Sequence, residues 1–81
     1  MELKDTIELM NSKDFKDRMK AEYWQTKIRY TKLCEMLEKF EAGKLDFNPN
    51  CSFDLLLAQA CFMGYYLKIL EIRAKNEGVI L

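Results

Sequence analysis

Two apolar stripes, each stepping alternately by four and three residues, lie on either side of a single proline, and they constrain the fold more than any other feature. The first runs through Met19, Tyr23, Thr26, Tyr30, Leu33, Leu37 and Phe40; the second through Phe53, Leu56, Ala60, Met63, Leu67, Leu70 and Ala74. This period keeps one face of a helix turned toward a partner helix along its length. Between the stripes, Lys44 to Cys51 cannot continue a helix, because Pro49 lacks an N–H and disfavours the α region at Asn48. A connection of eight residues makes the antiparallel hairpin the natural arrangement. Only three Gly and one Pro occur, too few turn-formers for a many-stranded β fold. The expected fold is therefore all-α, one domain over residues 1–81, with a short N-terminal helix over about 3–10 and long helices over about 13–42 and 53–77.

Local signals mark the ends. Leu3, Ile7 and Met10 share one face of the first helix. Asn11 or Ser12 can cap the second, and Asp14 and Asp17 suit the positive end of its dipole. That helix should reach roughly 45 Å at ~1.5 Å per residue. Gly43 is placed for a left-handed C-terminal cap, with Lys39 in the last turn. Ser52 is a good N-cap for the third helix, Gly78 ends it, and Val79-Ile80-Leu81 trails as an apolar tail.

The chain has more apolar surface than one internal seam can bury. Leu55, Phe62, Tyr66 and Ile69 form a second stripe on the third helix, with Leu57, Cys61 and Gly64 on a further flank. Phe15, Trp24, Ile28 and Met36 lie off the main stripe of the second helix. Apolar patches beyond a few hundred Å² mark interaction surfaces, and chains this small often need oligomerisation for stability. A homo-oligomer is expected, with Leu55, Phe62, Tyr66 and Ile69 between subunits. The competing arrangement is a monomeric three-helix bundle with Trp24 and Phe62 in its core.

Composition narrows the chemistry. Thirteen basic residues balance thirteen acidic ones, which argues against duplex nucleic acid held by bulk charge. The chain has no His, which removes Ser-His and Cys-His catalysis. Cys34, Cys51 and Cys61 are odd in number and match no metal motif, so free thiols in a reducing cytoplasm and no metal site are expected. No phosphate-binding loop or nucleophile motif occurs, and Glu35, Glu38 and Glu41 beside Lys32 and Lys39 read as a solvated face, with Glu35–Lys39 as an ion pair. Neither an enzyme nor a cofactor is expected. The N-terminus carries no secretory signal pattern. The longest uncharged stretch, Leu55 to Leu67, has thirteen residues against the roughly 20 of a membrane span, so no membrane partner is expected.

One segment stands apart. From Phe15 to Tyr30, basic residues alternate with four aromatics, Phe15, Tyr23, Trp24 and Tyr30. Aromatic faces stack on bases and Lys or Arg meets phosphate, although aromatics at helical spacing also serve as core. Arg73, between Ile72 and Ala74, can snorkel, pair with Glu77, or line a symmetry axis and hold an anion.

The run Phe15-x-x-Arg18-x-x-x-Glu22, then Lys27-Ile28, Leu33, Met36-Leu37 and Phe40, resembles the first half of a family of small phage proteins. Leu55-Leu56, Gln59, Met63, Tyr66, Ile69-Leu70 and Arg73 resemble the second half. This is the helical-hairpin family of the type-2 anti-CBASS nucleotide sponges, the hairpin part of the type-1 anti-Thoeris sponges, and small proteins first named from crAss-like phages. The resemblance covers about Ser12 to Lys75. It implies compact helical oligomers, often hexamers, in the cytoplasm of the infected bacterial host. It also implies binding of cyclic di- or trinucleotide signals made by host defence enzymes, without cleavage. By that resemblance Phe15 matches a base-stacking aromatic, without the hydroxyl of the usual Tyr. The phosphate-meeting basic position falls near Tyr30, with Lys27 and Arg29 as the closest cations. Arg73 matches an Arg of a separate site at a symmetry axis.

Two functions from different classes thus stand open. One is a sponge for a cyclic oligonucleotide; the other is a phage interaction protein that inhibits a host protein through exposed apolar helix faces.

Overall fold

The computed structural model describes residues 1–81, and the chain is all-helical. A 3₁₀ turn, Leu3–Thr6, runs directly into the short helix α1, Ile7–Met10; α2 spans Phe15–Glu41 and α3 spans Phe53–Glu77. The two long helices pack along each other as an antiparallel hairpin in a molecule 43 Å long, 24 Å wide and 17 Å deep. The length agrees with the reach expected of one long helix.

The hairpin register follows from the two stripes. Met19 packs with Ala74, Tyr23 with Leu67 and Leu70, and Phe40 meets Phe53 edge-on at 5.4 Å between ring centroids. All of these are stripe residues, and Met19, Tyr23, Leu37, Ala60, Leu67, Leu70 and Ala74 are buried.

The helix ends differ in detail from the sequence reading. α2 begins at Phe15, not at residue 13, and its N-cap is Asp14, whose carboxylate accepts from the Lys16 N–H at 3.0 Å. Ser12 works one step earlier. Its hydroxyl accepts from the Asp14 N–H at 3.1 Å and donates to Asp17 at 2.8 Å, while Arg18 donates to its carbonyl at 2.8 Å. The preceding turn is thereby fixed by three side chains, and the cap moves to the residue that follows it. At the far end α2 stops at Glu41, and Gly43 adopts φ 69°. The Lys44 N–H reaches back to the Lys39 carbonyl at 2.8 Å and the Gly43 N–H to that of Phe40 at 3.1 Å, a Schellman arrangement. Ser52 caps α3 through the Leu55 N–H at 3.2 Å, as expected.

Three further expectations give way. The N-terminal face is not Leu3, Ile7 and Met10: Ile7 and Met10 are exposed and Thr6 is fully buried, its hydroxyl donating to the Leu3 carbonyl at 2.7 Å. The first turn is 3₁₀, with about three residues per turn, so Leu3, Thr6 and Leu9 align instead. The apolar tail does not trail. A second Schellman cap at Gly78 (φ 68°) turns Val79 back onto Met19 and Ala74, with Leu81 beside them. Glu35 and Lys39 form no ion pair, and the one salt bridge joins exposed Lys4 and Glu2 at 3.3 Å.

Only ten of the 81 residues are buried, a thin core for a stable domain. The N-terminal segment packs on α2 and leaves α3 uncovered. Leu55, Phe62, Tyr66 and Ile69 are exposed, Phe62 at 76%, and so are Tyr65 and Ile72. The bundle with Phe62 in its core is therefore excluded for the single chain, whereas Trp24 does pack against the core, edge-on to Tyr23 at 5.3 Å. Taken whole, α3 is long and apolar enough to cross a membrane, with mean hydropathy 1.4 over an 18-residue window. The thirteen-residue count understated it because single charges such as Lys68 interrupt the run. Only 17% of that window is buried.

Candidate ligand-binding site

Phe15 opens α2 and is 45% exposed, a large ring on the outside of the first turn. Arg73 lies in the last turns of α3, exposed and in no ion pair, so the alternative of a bond to Glu77 is not formed. Because the helices are antiparallel, both residues sit at the end of the hairpin opposite the connection.

Lys27, Arg29 and Tyr30 lie elsewhere. Twelve to fifteen residues of α2 separate them from Phe15, roughly 18–22 Å along the axis at ~1.5 Å per residue. Arg29 is exposed, and the Lys27 ammonium lies 6.0 Å from the Tyr30 ring centroid, at the outer limit of a cation–π contact. Tyr30 faces the seam, where its ring covers Gly64. Gly64, placed on an outer flank by its spacing, is thus a seam residue, and the missing side chain makes room for the phenol. The Cys34 thiol, then burial, then Cys61 raise the Tyr30 hydroxyl above its ordinary pKa of 10.0.

The aromatic and basic groups of the Phe15–Tyr30 run therefore do not converge within one chain. Tyr23 and Trp24 are core-facing, and Tyr30 lines a groove of about 290 Å³ with Cys34, Cys61, Glu38 and Glu41. Two carboxylates there oppose a phosphate. No pocket of the single chain is lined by Phe15.

The largest concavity was missed by the sequence reading. It is an open groove of about 490 Å³ between the C-terminal half of α2 and the connection. Lys32, Lys39 and Lys44 line it together with Met36, Leu45 and Phe47, and Glu35 and Asp46 complete the wall. Its sequence signal was faint but present. Lys32 and Lys39 are seven residues apart, on one face of α2, and Phe47 is a bulky aromatic in a connection with no stripe to join.

No group of three or more His, Cys, Asp or Glu is placed to hold a metal ion. Cys34, Cys51 and Cys61 are free thiols.

A model of the Sequestin family matches residues 13–76, which takes in the connection and almost all of both long helices. The chain belongs to the Sequestin family. The matched span nearly coincides with Ser12 to Lys75, the span that resembles the small phage proteins. No curated protein and no solved structure matches the chain. The family's name points to sequestration of a signal molecule. The chain presents two exposed groups, Phe15 and Arg73, at one end of the hairpin and a lysine-lined groove at the other.

Proposed function

We propose that this Sequestin is a phage anti-defence protein that binds cyclic di- or trinucleotide immune signals in the host cytoplasm and holds them intact. One observation carries the reading. Arg73 continues the uncovered stripe Phe62, Tyr66, Ile69 at the same steps of four and three, and its guanidinium is unpaired. Where a symmetry axis passes near the Arg73 end of that stripe, a second copy packed on it brings Arg73 of one subunit close to Arg73 of another. Several like charges then repel until an anion joins them. Arg suits that role, because its planar fork donates paired hydrogen bonds to phosphate and stays charged. Phe15 supplies a base-stacking face at the same end of the hairpin, in a separate pocket completed by a neighbouring subunit.

Calorimetry of the wild type against a panel of cyclic di- and trinucleotides tests this. Saturable binding is expected, with the ligand recovered chemically unchanged after the protein is denatured. Recovery of a hydrolysed product overturns sequestration.

The bare α3 face favours a second reading, a phage interaction protein that docks on a host protein. No binding across the panel moves the conclusion to that reading.

A further inference from the structure

We propose that the groove between α2 and the connection is a nucleotide-class binding site, in which Phe47 stacks on a base while Lys32, Lys39 and Lys44 hold phosphate. This rests on the sequestering function proposed above and adds a site distinct from those of Phe15 and Arg73. The volume, about 490 Å³, falls in the range of small-molecule sites. Its walls carry three complementary chemistries. Phe47 is 52% exposed on a connection that gives it no seam to fill, so its ring face is open. The three ammonium groups make no ion pair, although Glu35 and Asp46 share the groove. Lys32 and Lys39 sit two turns apart, roughly 10 Å along α2, a spacing that suits more than one phosphate. Glu35 and Asp46 are acceptors for the N–H and O–H groups of a base and ribose. A bare inorganic anion would meet them only as repulsion.

The groove is also held in shape. The N–H groups of Ala42, Gly43 and Lys44 satisfy the carbonyls of Glu38, Phe40 and Lys39, so the cap is made by backbone alone and leaves the Lys39 and Lys44 side chains free. The Phe40–Phe53 contact, 5.4 Å between ring centroids, ties together the two helix ends that carry the connection, and Pro49 restricts the backbone between them. A wall ordered before binding loses little freedom on binding.

The test is calorimetry of the full chain with cyclic dinucleotides, and with AMP and inorganic phosphate as smaller probes, at two salt concentrations. Phe47→Ala should weaken the groove's share of cyclic dinucleotide binding by about 5- to 150-fold, the range of one lost stack. A Lys39→Ala/Lys44→Ala variant should weaken it and flatten its salt dependence. Both changes are on exposed residues, and circular dichroism should show an unaltered helix content. Arg73→Ala should leave this class of site intact. Wild-type binding that neither groove variant alters overturns the groove and leaves the sequestering function standing. Inorganic phosphate competing as well as AMP overturns the nucleotide assignment. No binding by any probe overturns both.

Discussion

The Tyr23 hydroxyl donates to the Glu71 carboxylate at 2.9 Å, joining residues 48 positions apart and locking the long helices in register. Tyr23 is buried and Glu71 exposed, so the bond closes a buried ring with a solvated partner. Tyr23→Phe keeps the ring and loses the bond. The expected cost is about 1 kcal/mol, read as a melting temperature lower by roughly 4–8 °C. Burial first, and then Glu71, raise the Tyr23 pKa above 10.0. The folded state thus favours the neutral phenol. Its contribution is complete below pH 10 and is lost as pH rises through the higher folded pKa. Thermal melts on either side of pH 10 should show a steeper alkaline loss in the wild type than in Tyr23→Phe. Equal slopes would refute the assignment.

Gly64 is where α3 admits the Tyr30 ring. A Cβ at residue 64 would lie 3.2 Å from the Tyr30 hydroxyl and 3.3–3.4 Å from the ring carbons. Gly64→Ala gains about 1 kcal/mol of helix propensity and gives back a similar amount by pushing the phenol outward, so little net change is expected. Gly64→Val should lower stability by about 1–3 kcal/mol, the usual cost of overpacking. In a Tyr30→Ala background that cost should fall sharply. Chemical denaturation of the four species checks it, and an undiminished cost in the alanine background would rule out the contact as its cause.

How the chain folds was largely legible, and residue by residue the reason is the stripes. Heptad spacing is a long-range signal written many times over, so Met19, Tyr23, Leu67, Leu70 and Ala74 could be placed in the seam before any coordinates. Caps are written once each, and there neighbours compete. Ser12 and Asp14 are both good N-caps, and the hydrogen bonds of Ser12 to Asp14 and Asp17 decided between them. The C-terminal tail failed for a related reason. The sequence marks Gly78 as an end, but a left-handed glycine also reverses the chain and returns Val79 to the core. The groove was less legible, because only Lys32 and Lys39 share a helix face and its other residues follow no period. Phe47 and Lys44 are loop residues brought opposite Lys32 and Lys39 only by the turn at Gly43.

Val79 and Ile80 make a matched pair for testing the tail. Val79 is buried on Met19 and Ala74, whereas Ile80 is 86% exposed. Val79→Ala removes two buried methyl groups and should cost about 1–2 kcal/mol, while Ile80→Ala should stay within about 0.5 kcal/mol of the wild type. Thermal melts of the two variants decide it. Equal, negligible effects would mean that the tail is loose in solution.

Phe62 is the most exposed side chain of the stripe on α3 and stands at its centre. If that stripe packs against a second copy, Phe62→Asp buries an unpaired charge in the contact and should break it. Light scattering should find the wild type well above its 9.6 kDa chain mass at micromolar concentration and the variant near it. A wild type that scatters as a single chain would overturn the assembly and, with it, the pairing of Arg73 across subunits.

Arg73 and Phe15 share one end of the hairpin but belong to separate sites in the proposed function, and their variants should separate them. Arg73→Ala removes the phosphate-holding fork at the proposed subunit contact and changes an exposed residue. It should abolish cyclic trinucleotide binding there and leave the assembly intact, since removing repelling charges does not weaken an apolar contact. Phe15→Ala removes one stacking surface. It should weaken the other site by about 5- to 150-fold, equivalent to roughly 1–3 kcal/mol, without affecting the first. Titration of both variants with cyclic di- and trinucleotides, with light scattering of each, reads the two losses independently. Loss of both sites in either variant, or dissociation of the Arg73→Ala protein, would show that the two residues serve the assembly and not two ligand sites.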